Sequence, residues 1–113
     1  MHEMALTQGI LAVISSEQKK SGFSRVREIR LKIGEYSGVI PSCIETFFPL
    51  AAEGTAAEGA SLVLETVPAA FRCPDCGYEG PVEKHTACCP DCGGTGIRMT
   101  QGREFFVENL AVE

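Results

Sequence analysis

The five residues Cys73-Pro74-Asp75-Cys76-Gly77 recur as Cys89-Pro90-Asp91-Cys92-Gly93, so four of the six cysteines stand in a CxxC…CxxC pattern with twelve residues between the pairs. A two-residue gap lets both sulfurs of a pair turn toward one metal, and the glycine after each pair can adopt the left-handed backbone of a tight knuckle. The stretch from Gly77 to Cys88 is long enough to bring the second knuckle back against the first and too short to fold alone. Four thiolates in this spacing suit tetrahedral Zn(II) in a ribbon that leaves no open coordination position. The competing readings are two disulfides or loose thiols.

A second set of donors stands at the chain start. His2 is one of two histidines and follows Met1 directly. A bulky second residue disfavours removal of the initiator methionine, so the expected start is Met-His-Glu. The α-amine of Met1, the amide nitrogen and imidazole of His2, and the amide nitrogen of Glu3 can then close fused chelate rings. Such planar nitrogen ligation suits Ni(II) or Cu(II) better than Zn(II). A terminal histidine that is simply solvated is the competing reading.

Composition narrows the function classes. At 113 residues the chain has the length of one domain with a small metal-stapled module, and 44% hydrophobic with 22% charged residues is a globular balance. The net charge of −5 disfavours a nucleic-acid backbone as partner. No apolar run approaches a membrane span, no basic segment precedes a hydrophobic stretch at the start, and paired thiols suit a reducing compartment. A cytoplasmic protein is expected.

These donors need a scaffold. Residues 3–20 predict an amphipathic helix with Met4, Leu6, Ile10, Leu11, Val13 and Ile14 on its apolar side, ended by Ser21-Gly22. Val26–Ile33 alternates, with Ile29, Leu31 and Ile33 facing one way and Glu28, Arg30 and Lys32 the other, which predicts a half-buried strand. A second helix is expected from Pro41, with Cys43, Ile44, Phe47 and Phe48 buried and Pro49 kinking or dividing it. Thr55–Glu58 predicts a capping box and one further turn. Strands are expected at Ser61–Val67 and Glu104–Val112, the second apolar at Phe105, Phe106, Val107, Leu110 and Val112. The expected fold is α+β, a three-stranded sheet with two helices carrying an inserted zinc ribbon. Residues 1–69 and 101–113 would form one domain and 70–100 the ribbon.

The segments MHEMAL, VREIRLKIGEYSGVIPSCIETFF, GTAAEGASLVLETVPAAFRCPDCG and CPDCGGTGIRMTQGREFFVENLAVE resemble the hydrogenase nickel-incorporation family (HypA/HybF) over essentially the whole chain. The resemblance implies a nickel metallochaperone, not an enzyme, with a nickel-binding α/β domain and a structural zinc domain. It implies delivery of Ni(II) to the precursor large subunit of [NiFe]-hydrogenase together with a GTPase partner of HypB type, and leaves a homodimer open. His2 matches the family's nickel ligand, Glu3 its acidic neighbour, and Cys73, Cys76, Cys89 and Cys92 its zinc ligands. Some members carry histidines beside the knuckles that couple the two metal sites; here Gly77 and Gly93 stand there instead.

His85, in the ribbon's loop, reads as a solvated residue or as an accessory nickel or proton-linked ligand. Cys43 reads as a buried structural thiol. Cys88 abuts Cys89, but the matching CPDCG frames favour Cys89 as the ligand. Competing functions are a nucleic-acid-binding ribbon, opposed by the acidic charge, a rubredoxin-type electron carrier, and a zinc hydrolase, which would need an open metal position and a general base. A zinc-ribbon interaction module without nickel transfer is the remaining alternative.

Overall fold

The computed structural model describes residues 3–83 and 85–113, and it shows an α+β fold of two helices and two small sheets. Helix α1 (Glu3–Ser21) leads into strand β1 (Val26–Gly34), helix α2 (Pro41–Ala51) and strand β2 (Ser61–Val67). Short strands β3 (Ala70–Arg72), β4 (Glu79–Gly80) and β5 (Arg98–Gln101) follow, and β6 (Phe105–Val112) closes the chain. The first sheet has the order β2-β1-β6, with β1 parallel to β2 and antiparallel to β6. A parallel pair needs a crossover, and α2 supplies it.

One face of this sheet is the core. The alternation of β1 buries Ile29, Leu31 and Ile33 against Ile10 and Ile14 of α1 and Ile44 and Phe48 of α2. Burying side chains of this size stabilises by roughly 1.5–3 kcal/mol each. The opposite face is polar, and there Lys32 pairs with Glu65 and, at 3.3 Å, with Glu108.

Several expected details shift. On α1 the buried residues are Thr7, Ile10 and Ile14, while Met4 and Val13 are 37% and 44% exposed. At 100° per residue Val13 and Met4 fall about 110° and about 70°, on opposite sides, from the face that Thr7 and Ile14 share. Thr7 is tolerated inside because its hydroxyl donates to the Met4 carbonyl at 2.8 Å. Pro49 neither divides nor ends α2. It stands in the last turn, where the bond it forgoes is the one to the carbonyl of exposed Glu45, and water can satisfy that oxygen.

Thr55–Glu58 forms turns rather than a helical turn. Thr55 Oγ1 accepts from the Ala57 amide at 3.1 Å, and Glu58 Oε1 accepts from the Gly54 amide at 2.9 Å. Both bonds are displaced by one residue from a capping box, and glycines at positive φ on either side, Gly54 and Gly59, break the helix. On β6 a bulge shifts the register between Arg30↔Asn109 and Leu31↔Val107. Val107 and Leu110 therefore both reach the core, while Phe106 and Val112 are 49% and 41% exposed.

The second sheet, β4-β3-β5, is antiparallel and belongs to the cysteine-bearing segment. A neck joins it to the first. The Gly34 amide donates to the Glu104 carbonyl, the Tyr36 amide to the Gly102 carbonyl, and the Glu35 amide to the Val67 carbonyl. Glu35 Oε1 accepts from the Ala69 amide at 2.8 Å, and the rings of Tyr36 and Phe71 sit 6.3 Å apart. The strands approach so closely that a Cβ on Gly34 would lie 2.3 Å from the Gly102 carbonyl carbon. The molecule measures 54 × 28 × 17 Å, and its radius of gyration is 17.7 Å. A compact domain of about 100 residues would have about 13 Å.

Candidate metal centre

Each knuckle is built by the same pair of backbone bonds. The Gly77 amide donates to the Cys73 carbonyl, and the Cys73 amide to the Tyr78 carbonyl, both at 2.9 Å. Sixteen positions on, the Gly93 amide donates to the Cys89 carbonyl at 2.9 Å and the Cys89 amide to the Gly94 carbonyl at 2.8 Å. The closing glycines have φ of +80° and +75°, which a side chain would strain. The repeated sequence thus folds as a repeated structure.

The knuckles bring their sulfurs together. Cys73, Cys76, Cys89 and Cys92 place all four Sγ atoms within 4.8 Å of one another. Cys73 and Cys92 are 3.6 Å apart, as are Cys76 and Cys89. All six cysteines are free thiols, so the disulfide reading does not hold. Tetrahedral Zn(II) with Zn–S bonds of about 2.3 Å sets its sulfurs about 3.8 Å apart, so the cluster has the dimensions of a four-thiolate site. Cys73 and Cys89 are buried while Cys76 and Cys92 lie at the surface.

The electrostatics divide the thiols. Burial opposes ionisation of Cys89, but the Cys92 and Asp91 amides outweigh it, and the thiol drops from its ordinary value of 9.0 to about 7. The Asp91 amide lies 3.3 Å from its sulfur. At Cys76 the Tyr78 amide favours the thiolate, yet the partial desolvation of its sulfur within the cluster and the neighbouring sulfurs prevail and push it up to about 12. Cys92 is also raised: the Gly94 amide favours its thiolate, but the pull of Cys73, burial and Cys89 prevails. One thiolate forms readily and crowding resists the next, as expected of ligands awaiting a dication.

Sequence reasoning did not find the amides that tune these sulfurs, nor Gly94. A Cβ there would sit 3.0 Å from Asp75 Oδ2 and 3.3 Å from the Cys92 sulfur. Cys88 is half-buried and outside the converging set; Cys43 is half-buried on α2; His85 is exposed.

Met1 and His2 lie outside the described residues. Glu3 opens α1 on the face that buries Thr7 and Ile10, one turn and two turns on. Its Oε2 is buried and has no hydrogen-bond partner among the described residues. That end of α1 lies near the neck, because Ala5 and Leu6 share a groove with Phe105, which adjoins Glu104.

A family model described as hydrogenase/urease nickel incorporation, metallochaperone, HypA matches residues 1–112. The chain is 42% identical over 113 residues to the hydrogenase maturation factor HypA of Geobacter metallireducens, covering 100% of both. It is 36% identical over 114 residues to that of Caldanaerobacter subterraneus, again covering 100% of both. The fold resembles the solution structure of the Ni metallochaperone HypA from Helicobacter pylori, with a TM-score of 0.72, 23% identity and coverage of 99% of this chain and 97% of that one. Another HypA solution structure gives a TM-score of 0.77 at 23% identity, covering 100% and 97%.

Proposed function

We propose a function from one premise: the chain belongs to the HypA family of hydrogenase and urease nickel-incorporation metallochaperones, which are maturation factors and not enzymes. Nickel is cargo, so the chemistry is ligand exchange. In our reading the Met1 amine, the His2 amide and imidazole, and Glu3 hold Ni(II). A short nitrogen-rich start lets those ligands be displaced one at a time during transfer.

The observation that carries this reading is the Glu3 carboxylate. A buried, unpartnered carboxylate oxygen is costly. Beside Met1 and His2 it has natural partners in their amine and imidazole, or in the metal they bind. Amine and imidazole must lose their protons to ligate, and their ordinary pKa values are about 7.7–8.0 and 6.5, so nickel capture should weaken as pH falls through that range.

Zn(II) in the Cys73, Cys76, Cys89 and Cys92 cluster would be structural, its coordination closed by four thiolates. It would staple residues 70–100 as a domain apart from the 1–69 and 101–113 nickel domain. Family membership and the relatives named hydrogenase maturation factor support a role in hydrogenase maturation. The finer proposal is that it works in the cytoplasm, as monomer or homodimer, with a HypB-type GTPase, and loads the [NiFe]-hydrogenase large-subunit precursor.

The test is a cell lacking this protein and grown at trace nickel. A His2→Ala copy should fail to restore [NiFe]-hydrogenase activity, and excess nickel should rescue it. Full restoration at trace nickel would return the chain to an interaction module without nickel transfer.

A further inference from the structure

In a chain of net charge −5, two arginines stand directly opposite each other across antiparallel strands. Arg72 of β3 pairs in register with Arg98 of β5. Register partners share a sheet face with Cβ atoms about 4.5–5.5 Å apart, and like charges so placed repel. Glu79, on the far side of Arg72, offers only a loose contact of 3.8 Å between side chains 65% and 72% exposed. Arg98 has no ion pair among the described residues. The fold thus gives Arg72 a weak cross-strand partner and gives Arg98 none among the described residues.

The two guanidinium groups border a groove of about 550 Å³, completed by Pro74, Met99 and Thr100. Pro74 belongs to the first knuckle, so a metal-stapled loop would hold one wall in place. Guanidinium forks bind carboxylates bidentately, and Pro74 gives a peptide backbone an apolar surface to lie on.

We propose that Arg72, Arg98 and the groove between them dock an acidic segment of a partner protein. Charge decides the occupant. A carboxylate-rich peptide is repelled by most of this acidic surface and attracted here, which fixes where it lands. A nucleic-acid backbone needs a broad basic stripe, and two arginines do not make one. Docking at this groove does not depend on nickel.

The experiment uses the zinc-loaded full chain, a hexaglutamate peptide as probe, and amide chemical shifts as readout. The peptide should perturb Arg72 and residues 98–100, and Arg98→Gln should weaken its binding roughly tenfold, the worth of one charge-assisted hydrogen bond. Arg98→Gln should also keep its zinc and melt no lower than the native protein, because it relieves repulsion. Shifts centred elsewhere, inorganic phosphate at matched ionic strength acting as strongly as the peptide, or a lower melting temperature in Arg98→Gln would each overturn the proposal.

Discussion

At the scale of single residues, the sulfur cluster is unequal, and the inequality predicts behaviour. Cys89 is buried and its thiolate is favoured by two amides; Cys76 is exposed and its thiolate is opposed by its neighbours. Cys89→Ser should therefore cost more zinc affinity than Cys76→Ser, and both should exceed the roughly 10–100-fold typical of disturbing outer partners of a metal site. Competition with a zinc-binding dye measures this, and equal losses would contradict it. Acid works in the same direction. Protons compete with the metal for thiolates, so zinc affinity should fall steadily as pH falls, and an affinity independent of pH would contradict thiolate ligation. The convergence of Cys73, Cys76, Cys89 and Cys92 was legible in the sequence because CxxC spacing is nearly covalent information. The tuning amides were not, because they come from backbone geometry at positions such as Asp91 that any residue could supply. Glu3 is intermediate: its place on the inner side of α1 follows from counting turns, but that its Oε2 is buried with no partner among the described residues shows only in three dimensions.

At the scale of elements, the period-two pattern of β1 and the helical stripe of α2 were readable because burial on one face imposes them. The bulge in β6 was not, since it sets Val107 and Leu110 on one face against simple alternation. Strands β3, β4 and β5 are two to four residues long and too short to carry a period. Leu31→Ala removes a fully buried side chain from the middle of β1 and should destabilise the protein by about 2–5 kcal/mol in denaturant unfolding. A smaller loss would place the core elsewhere. The neck was invisible in sequence because its partners, Gly34, Ala69 and Gly102, are far apart along the chain. Gly34→Ala drives a methyl into the Gly102 carbonyl and should cost about 1–3 kcal/mol or more, with a fall in melting temperature. An unchanged melting temperature would mean that the neck opens freely.

At the scale of the molecule, an elongated shape with two sheets predicts unequal responses to metal removal. Chelating zinc should melt the ribbon strands, because metal binding supplies much of the folding free energy of so small a module. The β2-β1-β6 sheet has its own apolar core and should keep its amide protection. Loss of protection throughout would mean that the two parts fold as one unit. Glu3 opens α1 at the neck end, so the proposed nickel donors and the cysteine cluster belong to one molecule but differ in donor type. The most direct test is a nickel titration of the zinc-loaded protein beside His2→Ala and Glu3→Gln. Native chain should bind one Ni(II), His2→Ala should bind more than about tenfold more weakly, a loss of at least 1.4 kcal/mol. Glu3→Gln should alter the nickel spectrum, and zinc content should stay constant in all three. Nickel binding by His2→Ala as tight as native would contradict the account.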